Sequence, residues 1–188
     1  MQEIDDGIHV IFGDSYPGVC SNVYVLEGQN AVWLVDAGVE AERVTEHLSK
    51  PVAGVLFTHG HFDHVLGALS AAWSGYMNAH DLNVLEDLNA DFVETAKPDF
   101  FKAFSTSVLR FDDFELDVIS TPGHTPGSVC FLEKNSGVLF SGDTKFAHGG
   151  VGRTDLWGGD PQALDESLLL LERLDYRLLA PGHGDMEC

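Results

Sequence analysis

The sequence has no long hydrophobic run, no cysteine pair and no basic surplus. Its apolar stretches, such as V-A-G-V-L-F and L-L-L-L, are far shorter than the roughly 20 residues that a membrane-spanning helix needs. The acidic start M-Q-E-I-D-D lacks the basic and apolar regions of a secretory signal. The three cysteines, Cys20, Cys130 and Cys188, are odd in number and widely separated. We therefore expect reduced thiols, a cytoplasmic location and no membrane partner.

Basic residues are scarce: 10 Lys and Arg stand against 30 Asp and Glu, which gives a net charge of -20. Phosphate backbones are bound by basic surfaces, so nucleic acid is not expected as a partner. The acidic residues are spread along the chain rather than gathered in a tail. One hypothesis is a host with a salty cytosol, in which dense carboxylates keep a protein hydrated; the alternative is an ordinary acidic protein.

The 188 residues predict one domain, residues 1–188, in which strands alternate with helices. Sheets packed face to face with helices outside are the architecture that this rhythm favours. The middle, residues 75–107, is hardest to interpret, with one helix expected near 80–88. Predicted strands are H-V-I-F-G, N-V-Y-V-L-E, A-V-W-L-V-D-A-G, A-G-V-L-F-T, F-E-L-D-V-I-S, S-V-C-F-L-E, G-V-L-F-S-G-D and Y-R-L-L-A; predicted helices are 39–50, 65–73 and 161–174.

The densest chemical signal is T-H-G-H-F-D-H, which follows the apolar strand ending in V-L-F. His59 and His61 are two residues apart, so an extended backbone points both the same way, and Asp63 and His64 follow where a helix begins. Imidazole and carboxylate are ligands that borderline divalent metals prefer. One ion can hardly use all four groups, so the cluster predicts two adjacent metals with further ligands elsewhere.

Those ligands stand at matching places. His124 in T-P-G-H-T-P-G-S, Asp143 in F-S-G-D-T and His183 in A-P-G-H-G each follow an apolar strand and lie among glycines. Loops held at the ends of rigid strands suit a metal site. The remaining histidines show no such pattern and are interpreted as incidental.

Taken together, T-H-x-H-x-D-H, G-H-T-P-G-S, S-G-D-T and P-G-H-G resemble the metallo-β-lactamase superfamily over essentially the whole chain. The resemblance implies an α/β (α+β) fold, a four-layer αββα sandwich with the metals at one edge. Within that superfamily, G-D-T-x-F followed by G-x-G-R-T-D-L is similar to glyoxalase II-like hydrolases and to the related persulfide dioxygenases.

The resemblance assigns roles residue by residue. It makes His59, His61 and His124 ligands of one metal, and Asp63, His64 and His183 ligands of a second, with Asp143 between the two. Asp36, in L-V-D-A-G, matches an aspartate that braces the metal loops rather than a ligand. Zinc is the expected metal, although iron and manganese also accept mixed His/Asp sites.

The resemblance also implies a reaction. A hydroxide bridging the two metals would attack a thioester or ester carbonyl, and Asp63 would move its proton to the leaving group. Two divalent ions outweigh two aspartates and a hydroxide by about one positive charge, which favours a small anionic substrate. Arg153, in V-G-R-T-D-L, is the candidate to contact a substrate carboxylate; a structural ion pair with Asp155 is the alternative.

The departures from the family keep alternatives open. Classical glyoxalase II enzymes carry a helical extension with basic residues for glutathione, whereas this chain continues only five residues beyond His183. Lys145 stands where a hydrophobic residue is usual. A thioester of another thiol, another ester or a lactone therefore remains open. So do a mononuclear-iron persulfide dioxygenase, which would use His59, His124 and Asp143, and a non-catalytic metal-binding or interaction module.

Overall fold

Two β-sheets form the centre of the protein. The computed structural model describes residues 1–13, 20–90 and 97–188. The first sheet has seven strands in chain order: β1 (Gln2–Asp5), β2 (Ile8–Ile11), β3 (Val23–Glu27), β4 (Val32–Val35), β5 (Val52–Leu56), β6 (Gly75–Met77) and β7 (Phe101–Ala103). The second sheet has the order β12-β11-β10-β9-β8, with β8 (Val108–Phe111), β9 (Phe114–Ser120), β10 (Val129–Glu133), β11 (Val138–Gly142) and β12 (Leu178–Pro181).

Helices lie on the outer faces. They are α1 (Ala41–Thr45), α2 (Phe62–Ala71), α3 (Ala79–Asn83), α4 (Leu85–Asn89) and α5 (Pro161–Leu171), with a short 3₁₀ turn at Ala147–Gly149. The start of α5 is well defined, because the Asp160 side chain accepts hydrogen bonds from the backbone N–H groups of Gln162 and Ala163 and Pro161 fits the first turn. No helix in the described part of the chain is long and apolar enough to cross a membrane.

Three apolar clusters mark the three interfaces between layers. Side chains from both sheets, including Leu26, Leu56, Phe131 and Phe140, are buried between the sheets. The outer face of the first sheet packs on α1 to α4, and the outer face of the second packs on α5 around Leu171. This arrangement confirms the predicted αββα sandwich.

Strand directions bring the polar loops to one edge. In the first sheet β4, β5 and β6 are parallel neighbours. In the second, β11 and β12 are parallel, and β9 runs the same way because both β9 and β11 pair antiparallel with β10. The backbone N–H of Val129 at the start of β10 donates to the carbonyl of Thr58 after β5, which joins the two sheets at this edge.

The predicted strands are confirmed within a few residues, but four strands in the described part of the chain were not predicted from the sequence. Of these, β1, β7 and β8 lie at sheet edges, and β6 and β7 have only three residues each. Short edge strands carry too few buried positions to show an alternating pattern.

Helix predictions were less accurate. The helix predicted over 39–50 is wrong in length, since α1 covers only Ala41–Thr45. The backbone must turn into β5, and Lys50, directly before Pro51, disfavours helical geometry. The single helix expected near 80–88 is instead two short helices, α3 and α4.

Candidate metal centre

All seven predicted ligands lie in one cluster at the shared edge of the sheets. His59 and His61 follow β5, and Asp63 and His64 lie in the first turn of α2. The other three follow β9, β11 and β12 of the second sheet. Each of the seven has a ligand atom within 4.8 Å of those of two others. The first group contains His59, His61 and His124, and the second contains Asp63, His64 and His183. A further set, His59, His64 and Asp143, overlaps both groups.

The first group consists of three buried histidines. Nδ1 of His61 lies 2.9 Å from Nε2 of His124. The ring of His59 is 4.9 Å from that of His61 and 4.8 Å from that of His124, measured between centroids. Burial makes protonation unfavourable, so the pKa of His59 is well below its usual value and that of His61 falls to about 3. These two imidazoles are therefore neutral at pH 7, the form that binds metals.

The second group contains a carboxylate and two histidines. Oδ2 of Asp63 lies 3.1 Å from Nε2 of His183 and 3.7 Å from Nε2 of His64. Burial alone would raise the pKa of Asp63, but the charges of His64 and the hydrogen bond from His183 lower it. Burial would lower the pKa of His183, yet hydrogen bonds to Asp143 and Asp63 raise it to about 9.

Asp143 lies between the two groups. Its Oδ2 is 3.6 Å from Nε2 of His124 in the first group and 3.4 Å from Nε2 of His183 in the second. Its Oδ1 is 3.4 Å from Nε2 of His64. A single carboxylate can therefore reach both groups, as a bridging ligand must.

The ring nitrogens and carboxylate oxygens in this cluster fit a metal. Within the cluster, four buried atoms have no hydrogen-bond partner among the described residues: Nε2 of His59, His61 and His64, and Oδ1 of Asp143. Buried polar groups without partners are costly and rare, and an ion would satisfy them. Gly182 keeps the space open, because a Cβ at that position would meet Oδ1 of Asp143 and Cε1 of His64.

Asp36 braces the cluster from the end of β4. Its Oδ1 accepts from the N–H of Thr58 at 2.9 Å, and its Oδ2 accepts from Nδ1 of His64 at 2.8 Å and from the Thr58 hydroxyl at 2.9 Å. The Thr58 hydroxyl in turn lies 3.1 Å from Nδ1 of His59. These contacts orient both rings and leave their Nε2 atoms for an ion. Asp36 is buried and adds a third carboxylate to the site. The net positive charge expected for the site with two divalent ions is therefore smaller by one.

Arg153 contributes through its backbone as well as its side chain. Its carbonyl accepts from Nδ1 of His124 at 2.7 Å, which directs Nε2 of that ring toward the cluster. Its guanidinium is exposed and makes two bonds of 2.7 Å to the Asp155 carboxylate. This ion pair lowers the pKa of Asp155 to about 2. A contact between Arg153 and a substrate stays a prediction.

Other residues that hold the loops were not identified from the sequence. The amide of Asn22 donates to the carbonyls of Pro181 and Gly184, and the Tyr24 hydroxyl donates to the carbonyl of Pro181 at 2.7 Å. These bonds fix the loop that carries His183. Asn22 and Tyr24 lie in or beside an ordinary apolar strand, so no local pattern distinguishes them.

The comparisons with known proteins agree with this geometry. Residues 17–183 match the sequence family described as the metallo-beta-lactamase superfamily. The chain belongs to this superfamily.

Its relatives include metallo-hydrolases and a hydroxyacylglutathione hydrolase. The Bacillus subtilis (strain 168) protein named "Probable metallo-hydrolase YqgX" is 33% identical over 87% of this chain and 85% of its own length. The Haemophilus influenzae (strain ATCC 51907 / DSM 11121 / KW20 / Rd) protein named "Hydroxyacylglutathione hydrolase GloC" is 32% identical over 94% of this chain and 90% of its own. Sequence family and His/Asp groups together place the chain among the metallo-hydrolases of the superfamily, with a site suited to a divalent metal.

A solved structure has a similar fold. The crystal structure of TTHA1623 in a di-iron-bound form is 30% identical, with a TM-score of 0.75, and the match covers 94% of each chain. That neighbour holds two irons, so membership of the superfamily does not select zinc.

Proposed function

We propose that the protein is a dinuclear metal-dependent hydrolase of the glyoxalase II type, which cleaves a small anionic thioester. The position of Asp143 carries this proposal, because its carboxylate lies 3.4 to 3.6 Å from ring nitrogens of both ligand groups. A mononuclear centre built from His59, His124 and Asp143 would leave Asp63 and His183 without a metal to bind. Zinc is the metal proposed first, and iron is the alternative.

The bound ions would supply Lewis acidity, lowering the pKa of water and polarising the substrate carbonyl. Residues of the chain then have distinct tasks. Asp63 is ionised at neutral pH, because its pKa is lowered, and its side chain is 15% exposed, so it faces the open side of the cluster. It can accept the proton of the attacking water and pass it to the departing sulfur.

The substrate class follows from charge and from the relatives. Two ions against the carboxylates of Asp36, Asp63 and Asp143 leave a site that is not negative, even on a strongly acidic protein. The Haemophilus influenzae relative is named for hydroxyacylglutathione hydrolysis and is matched over 90% of its length. This supports a hydroxyacyl thioester of glutathione or of another small thiol.

Arg153 is the proposed contact for a carboxylate of that substrate. Its partner Asp155 is exposed, and exposed ion pairs are weak, so a substrate carboxylate could replace Asp155. The same cluster could also act on a lactone or another ester, which requires a direct comparison of substrates.

Metal content and two assays test the proposal. Protein purified without chelators is analysed for metals, then assayed for hydrolysis of S-lactoylglutathione, simple thioesters and lactones, and for oxygen uptake with glutathione persulfide. Two metals per chain with thioester hydrolysis are the expected result. One iron with oxygen uptake would refute the hydrolase and favour the dioxygenase, whereas lactone cleavage without thioester cleavage would change the substrate class alone.

A further inference from the structure

Two short helices, α3 and α4, hold the backbone of Gly60, which lies between His59 and His61. The N–H of Gly60 donates to Oδ2 of Asp81 at 2.9 Å, and the carbonyl of Gly60 accepts from the amide of Asn89 at 2.9 Å. A Cβ at Gly60 would lie 2.9 Å from a methyl group of Leu88, so the helices pack closely on this peptide. The backbone of the first ligand loop is therefore fixed from both sides.

Asp81 also reaches the loop that carries His124. Its Oδ1 accepts from the N–H of Gly127 at 2.6 Å, and its Oδ2 accepts from the Thr125 hydroxyl at 2.7 Å. These two loops follow strands of different sheets. One fully buried carboxylate thus connects the backbone beside His61 with the backbone beside His124.

The chemistry at this position requires a carboxylate. Three donors surround Asp81, and both of its oxygens accept from a backbone N–H. An amide of the same shape has one oxygen and one NH₂ group, so it would direct a donor at one of these N–H groups. Burial of a carboxylate is costly, and packing alone would be better served by an apolar side chain.

We propose that Asp81, with Asn89, is a positioning residue that sets the separation of His61 and His124 and thereby the affinity of the three-histidine group for a metal. Asp81 contacts the T-H-G-H-F-D-H loop at Gly60, whereas Asp36 contacts it at Thr58 and His64. The proposal rests on the proposed function only in requiring that this group binds an ion.

The test compares Asp81→Asn with a matched control, Glu133→Gln. Glu133 is another buried carboxylate that accepts several hydrogen bonds, from Ser136, Asn135 and Glu115, but it lies at the far end of β10 from the cluster. Zn²⁺ binding to each protein is measured by competition with a chromophoric chelator, and unfolding temperature is measured in parallel. For Asp81→Asn we expect one bound equivalent to weaken about 10- to 100-fold, with the other equivalent unchanged. Glu133→Gln should lower only the unfolding temperature.

A second pair of variants covers the case in which Asp81→Asn does not fold. Thr125→Val removes one hydroxyl donor to Asp81, whereas Thr125→Ser keeps it. The valine variant should weaken the same equivalent and the serine variant should restore it. Equal Zn²⁺ affinities in the wild type, Asp81→Asn and Thr125→Val would overturn the role of Asp81. A wild-type protein that binds no Zn²⁺, iron or manganese would instead overturn the metal centre itself.

Discussion

Protons should compete with metal ions far more strongly at the group of Asp63, His64 and His183 than at the group of His59, His61 and His124. In the metal-free protein the pKa of His183 is raised to about 9, because its hydrogen bonds to Asp143 and Asp63 outweigh the effect of burial. The pKa of His64 is also raised, through Asp36, Asp63 and Asp143. The pKa values of His59 and His61 are lowered. The group containing His183 must therefore lose protons before it can bind an ion.

The size of this competition follows from the pKa. The pKa of His183 lies about two units above pH 7, so its proton lowers metal affinity at pH 7 about 100-fold. This factor corresponds to about 2.7 kcal/mol. Affinity at this group should rise about tenfold per pH unit and level off above the pKa of about 9. Because the pKa of His64 is also raised, its proton release makes the metal affinity of this group rise more steeply with pH. Because His59 and His61 are already neutral at pH 7, their proton release should not make binding to the three-histidine group depend on pH in this range.

Competition titrations can separate the two equivalents. Zn²⁺ affinity is measured between about pH 6.5 and 8.5 with a chelator whose own protonation is known. We expect one equivalent with a steep pH dependence and one with a shallow dependence, and His183→Asn should reduce the steep slope to the part that His64 contributes. Two equivalents with the same slope in the wild type, or a steep slope that is unchanged in His183→Asn, would refute the assignment of the raised pKa to His183.

Four further changes have defined outcomes. Asp63→Asn should lower turnover roughly 10²- to 10⁴-fold, because an amide cannot carry the proton; retained activity in a metal-loaded variant would exclude that role. Gly182→Ala should abolish binding of the second metal, since its Cβ would meet Asp143 and His64, and a fully loaded variant by elemental analysis would contradict this crowding. In metal-free protein, His183 should add stability relative to His183→Asn below about pH 6.5 and lose this effect as the pH rises through about 9, as followed by thermal unfolding; no difference between the two proteins at low pH would contradict the ion pair. The net charge of -20 predicts a higher unfolding temperature in molar salt than in low salt if the host is salty, and equal temperatures would favour an ordinary acidic protein.

The seven residues of the cluster could be found in the sequence because five of them follow apolar strands directly, and Asp63 and His64 begin the helix after β5. Parallel strands end at the same edge of a sheet, so His124, Asp143 and His183 are brought together by the fold that the strands themselves predict. T-H-G-H-F-D-H is dense enough to be recognised alone. Asp36 was predicted through the family resemblance, and the structure gives its contacts.

The residues that hold the loops could not be found in this way. Asp81 and Asn89 lie in short helices that show no distinctive sequence pattern. Their bonds to Gly60 exist only once these helices pack against the loop that follows β5. The carbonyl of Arg153 belongs to the backbone, and every residue type has one, so its contact with His124 cannot be predicted from the sequence. Short edge strands such as β7 were not predicted because their pairing with a neighbouring strand, rather than their composition, defines them.

The cluster draws its side chains from both halves of the sandwich, His59 and His61 from the first and His124, Asp143 and His183 from the second. The three cysteines are free, so no disulfide bond links the two sheets. A bound ion would be a cross-link across the main apolar interface, and its binding free energy would add to folding stability. Chelation should then loosen the association of the two sheets and expose the apolar side chains between them.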